Sequence, residues 1–179
     1  MLIASKTELQ PIDYRAAFPA TSFPSEGPND DFLADQGYAR VSLFKAHDAA
    51  TQKLVPAQPY LEGEFVYTVA VQSKTAEELA AEQAAANAAL QASIVQATQA
   101  RLDTFARTRQ YDDIKSACTY AGCSVPKFNT EGSYCQDRRA ETWQALYDML
   151  AEVQAGTRPM PAGFADVEPE LPPLVWPTP

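Results

Sequence analysis

The sequence predicts an α+β protein built from consecutive parts: a small β-rich N-terminal module, a long coiled-coil-like central helix, and a C-terminal helical hairpin with a Pro-rich extended tail. Three observations predict it. Fourteen prolines against seven glycines crowd toward the two ends of the chain. Phe65, Tyr67, Val69 and Val71 alternate as one face of a strand does. From Thr75 to Arg109 there is neither Gly nor Pro. The expected boundaries are 1–73 for the β-rich module, 74–110 for the helix, 111–156 for the hairpin and 157–179 for the tail.

Residues 1–36 read as extended and turn-rich. Phe18-Pro19, Phe23-Pro24 and Gly27-Pro28 each place a residue before proline, where the helical region is disfavoured. Residues 38–44 have the β-branched and aromatic content of a strand, with partial alternation. Residues 64–72 form a clearer strand. Glu62-Gly63 is a turn signal that makes residues 58–61 a hairpin partner, which Pro56 and Pro59 would confine to a sheet edge.

At Thr75-Ala76-Glu77-Glu78 the character changes. Threonine followed three residues later by glutamate is a capping box, and both acids suit the positive end of the helix dipole. The next stretch, of about 34 residues and rich in Ala, Glu, Gln and Leu, would make a helix roughly 50 Å long. Its stripe is Leu79, Gln83, Ala86, Leu90, Ile94, Ala97, Leu102 and Phe105. A narrow, small-sided stripe of this length suits partner helices, so Leu79, Ala86, Leu90, Ile94, Ala97, Leu102 and Phe105 are the expected oligomerisation contacts. The competing reading is a long surface helix packed on its own chain.

Asp112-Asp113 marks a break and a fresh helix start. A helix from Ile114 to Ala121 stops at Gly122, Val125-Pro126-Lys127-Phe128 acts as a connector, and a second helix runs from about Thr130 to Ala155, closed by Gly156 and Pro159. Trp143, Leu146, Tyr147 and Leu150 are expected to pack on Ile114 and Ala117. The seven prolines from Pro159 onward favour an extended tail, whose Leu174, Val175 and Trp176 suit docking on a neighbouring surface.

Charge and motif content narrow the function. A net charge of −9 with a pI near 4.6, and no cluster of Lys and Arg, argue against nucleic acid. No apolar run approaches the roughly 20 residues that cross a bilayer, and the first residues lack the order of a secretory signal, so synthesis and folding in a cytoplasm are expected. His47, the only histidine, falls in a loop-like segment with no partner for a catalytic triad. Asp30-Asp31 and Glu77-Glu78 are neighbours in sequence, which is not the geometry of a catalytic dyad. Cys118, Cys123 and Cys135 lack a fourth ligand for zinc. Antiparallel helices would allow a Cys118–Cys135 bridge, against which stand free buried thiols. No cofactor and no catalysis are expected.

The block from Leu102 through Ile114, with Ser116 to Gly122, Val125-Pro126-Lys127-Phe128, Glu131-Gly132, Arg138 and Trp143, resembles a C-terminal module of bacteriophage tail proteins. The ending Val153-Gln154-Ala155-Gly156-Thr157-Arg158-Pro159-Met160-Pro161 and Leu171-Pro172-Pro173-Leu174-Val175-Trp176-Pro177 resembles that module's tail. The likeness covers about residues 100–177. The N-terminal half, with Phe18 to Pro24 and a strand ahead of Thr75, is similar to the front domain often joined to it. Cys118, Cys123 and Cys135 depart from the small residues of the pattern. The resemblance implies a structural virion component of the tail, in the fibre or baseplate region, made in the host cytoplasm and bound to other tail proteins. A trimer follows by analogy with phage fibres. Tail fibre assembly chaperones share a comparable layout and form the alternative; a host-surface depolymerase is opposed by the small size and the lack of a long β-helical segment.

Overall fold

The computed structural model describes residues 1–178 and confirms the α+β class. The chain divides into two compact units, residues 1–81 and the part from Glu82 onward.

The first unit is a five-stranded sheet with two short helices. The strands are β1 (Leu2–Ser5), β2 (Pro11–Asp13), β3 (Tyr38–Ser42), β4 (Gln52–Glu62) and β5 (Phe65–Ser73), in the spatial order β2-β1-β3-β5-β4. All neighbours are antiparallel except β3 and β5, which run parallel with Val41 opposite Val66. The turn-rich opening thus holds two strands, each too short to show a period, and two helices, α1 (Tyr14–Ala17) and α2 (Asp30–Asp35). Asp13 and Asn29 cap these helices through their side chains. What fixes the segment is aromatic packing: Tyr14, Phe18, Phe23, Phe32 and Tyr38 meet edge to face at 5.1–6.0 Å and cover Ile3 and Leu33.

The β4–β5 hairpin turns at Gly63, whose φ of +62° places it in the left-handed region. β4 starts six residues earlier than the expected partner strand and does lie at the sheet edge. Its pairing slips between Pro56 and Tyr60, where prolines without an N–H cost least. The alternating residues of β5 share a face, yet the fully buried residue is Val66 on the opposite one, packed with Ala4 and Ala39. Phe65 is 38 % exposed.

α3 (Ala76–Arg107) is one unbroken helix of 32 residues. The capping box forms as expected: the Glu78 backbone N–H donates to Thr75 Oγ1 at 3.2 Å, and Thr75 N–H donates to Glu78 Oε2 at 2.9 Å. α3 ends in tight turns with Gln110 at φ +66°.

Three features of the C-terminal half differ from expectation, the first being that the helix expected to reach Ala121 ends at Cys118. The second hairpin helix, α5 (Pro126–Gln154), follows α4 (Ile114–Cys118) and starts four residues before Thr130, because Pro126 occupies the first helical turn, where its missing N–H is not needed. The tail is not wholly extended. Phe164–Val167 forms a helical turn, α6, continued by a 3-10 turn over Glu168–Glu170, with Pro169 again in a first turn. Val167 and Leu171 are buried by it. α5 closes with a Schellman motif: Thr157 N–H donates to the Glu152 carbonyl and Gly156 N–H, at φ +72°, to that of Val153.

Candidate interaction surface

α3 and α5 lie antiparallel, because Ile94 packs with Leu146, Leu102 with Cys135, and Arg109 pairs with Glu131. This settles where each stripe residue goes. Ile94 and Leu102 are buried within their own chain, as are Thr98 and Ala106, which the stripe omitted. Phe105 stacks on Trp176 at 4.2 Å and 17°. Ala97 and Leu90 are half-buried, while Ala86 and Leu79 are exposed. The proposed seam is therefore split: its C-terminal part is intramolecular core and only its N-terminal part is open.

The hairpin core also differs from expectation. Ile114 and Ala117 are fully buried with Leu102, Ala106, Tyr111 and Cys135. Leu146 packs on Ile94 instead, Tyr147 is 61 % exposed, and Leu150 is half-buried at a groove. Trp143 reaches both clusters. The reason is geometric: α4 spans little more than one turn and covers only the first half of α5, so the later turns of α5 meet α3.

Two residues that belong to the tail-module pattern, but to which sequence reasoning assigns no packing role, hold the hairpin. Gly132 lies where α5 crosses the turn after α4; a Cβ there would stand 2.4 Å from the Ala121 nitrogen. Glu131, 2 % exposed, accepts from the Tyr111 hydroxyl at 2.7 Å and pairs with Arg109. Burial alone would raise its carboxyl, but Tyr111 and Arg109 reverse that and bring it below the ordinary range. The visible signal was Glu-Gly near the start of an otherwise good helix. Trp176 is the third anchor: its Nε1 donates to Thr108 Oγ1 at 2.8 Å, and the Arg109 guanidinium lies 4.8 Å from its ring centre. The tail thus docks on its own chain, with Arg101 donating to the Pro172 carbonyl at 3.0 Å.

The remaining candidates are structural in placement. Cys118, Cys123 and Cys135 are free thiols, with Cys118 packed against the cluster that buries Cys135. Burial pushes Cys135 up to about 12, so its thiol stays protonated at neutral pH. His47 Nδ1 lies 2.9 Å from the Lys45 carbonyl. Asp30 pairs with Arg40, and Glu78 with Lys53. Among the described residues, no group of three or more His, Cys, Asp or Glu is placed to hold a metal ion, and no helix is long and apolar enough to cross a membrane.

What remains is an apolar groove. Residues 84–95 of α3 form one wall, Leu146, Leu150 and Val153 of α5 the other, and Met160, Pro161 and Val167 line it further, around a cavity of about 410 Å³. Val95, Tyr147 and Met160 are 39, 61 and 50 % exposed there. No residue of α3 before Ile94 is buried. Residues 83–100 contain no Asp, Glu, Lys or Arg, roughly 27 Å of helix without a charge in a chain whose residues are 21 % charged. An exposed helix without charges, opening on an apolar groove, has the composition of an interface centre, where charged residues are depleted. No protein-family model matches the chain, no curated protein is detectably similar to it, and no solved structure matches it.

Proposed function

We propose that the chain is a structural, non-catalytic component of a bacteriophage tail, in the fibre or baseplate region, that self-associates through α3 and attaches to other tail proteins. The observation that carries the reading is the uncovered, charge-free stretch of α3 over residues 83–93 beside its apolar groove: a surface suited to contact with protein. The residue pattern over 100–177 supplies the tail assignment, and the anchors it includes, Glu131, Gly132 and Trp176, hold the hairpin together.

One observation favours the assembly-chaperone reading. Ile94, Leu102 and Phe105 are covered in cis, which leaves the C-terminal unit with a core of its own and less need of permanent partners. Quantitative mass spectrometry of purified particles separates the two. A structural component is present at a fixed small-integer ratio to a tail protein of known copy number. A chaperone that leaves the fibre is abundant in infected cells and missing from particles, and that result would overturn the leading proposal.

A further inference from the structure

The groove needs an occupant, and the distribution of charge along α3 identifies one. We infer that it seats α3 of a second copy, running antiparallel, with the twofold axis near Gln91. This deepens the self-association in the proposed function and rests on that part of it alone.

Three observations select this partner. First, the chain carries a net charge of −9, so two copies repel least where their contact adds no acid-against-acid neighbours. Residues 83–100 are such a region, and residues 84–95 within it also form a groove wall. One segment is therefore both the ridge offered and part of the receptor, as an isologous contact requires. Second, the ridge is small: Ala84, Ala85, Ala88, Ala89 and Ala92 allow close approach to a wall of larger residues such as Leu90 and Leu150. Third, the acids at the start of α3 bear on the direction: Glu77 stands beside Glu78, whose charge is shared with Lys53. In a parallel pair or trimer they would stand level with their counterparts. In an antiparallel pair they go to opposite ends, and the helix dipoles oppose as well. This favours two copies over the three expected by analogy.

The full-length chain tests it by light scattering coupled to size exclusion at micromolar concentration, beside Ala88→Glu and Val95→Glu. Both positions are solvent-exposed, and unchanged circular dichroism and melting at nanomolar concentration confirm that each variant is folded. The expected mass is twice 19.5 kDa, falling to 19.5 kDa in both variants. Orientation is read by oxidative cross-linking with peptide mapping. Gln91→Cys should bond to its own counterpart. Ala84→Cys should not, since antiparallel packing holds the two copies of residue 84 about 20 Å apart, well beyond disulfide reach. A wild-type monomer, a folded variant that associates unchanged, or Ala84→Cys joined to its counterpart would each overturn the inference. If the dimer forms while purified particles lack the protein, the tail assignment fails and the docking inference stands. A particle protein that is monomeric in solution gives the reverse.

Discussion

Gly132 is the residue whose identity the hairpin least tolerates changing. A methyl group there meets the backbone at Ala121 and Tyr120, which cannot rotate away as a side chain would. Gly132→Ala should therefore lose about 2–3 kcal/mol or more in urea denaturation, whereas Gly163→Ala, with extended φ and open space around it, should change little. Glu131 makes the fold sensitive to acid. Its carboxyl titrates below its ordinary value in the folded chain because Tyr111 and Arg109 outweigh burial. A lowered folded value means that the stabilisation is complete above the ordinary carboxylate range and disappears as pH falls through the folded value. The melting temperature of the wild type should thus drop on acidification below about pH 4. Glu131→Gln should be less stable at pH 7 and lose less on acidification. Parallel pH profiles for the two would remove Glu131 from the account.

The halves of α3 should respond differently to substitution. Leu102→Ala empties a fully buried site and should cost about 2–5 kcal/mol. Leu79→Ala, at a position 38 % exposed, should cost under about 0.5 kcal/mol in the dilute chain. Equal losses in thermal unfolding would contradict the division. This contrast also marks how much was legible beforehand. The existence and start of α3 were, since a capping box and a long run without Gly or Pro are local signals. Its burial was not, because which turns are covered depends on where α5 lies, and α5 is placed by Gly132 and by an α4 that stops at Cys118. β1 and β2 escaped notice as strands too short to show a period. α6 escaped because prolines on either side of it suggested an extended chain, although the proline-free residues 162–168 leave room for a turn. The docking of Trp176 on Phe105 joins positions 71 apart, which no pattern within one segment announces.

At the scale of the molecule, the chain combines a C-terminal unit with an interior core and a helix that reaches that core only from Leu90 and Ile94 onward. Ile94 shows the consequence. Expected as an oligomer contact, it belongs to the cluster of Leu146, Val167 and Leu171, so charging it would unfold the unit and report nothing about association. The open surface is the preceding stretch together with Val95 and the groove. If that stretch is for a second copy while the rest of α3 serves its own chain, the two should differ in how their protection depends on concentration. Amide hydrogen exchange of the full-length protein, followed by mass spectrometry at tens of micromolar and at nanomolar concentration, reads this directly. Residues 98–106 should exchange slowly at both concentrations. Residues 83–93 should be slow when concentrated and fast when dilute. Equal exchange of residues 83–93 at the two concentrations, slow or fast, would contradict the account.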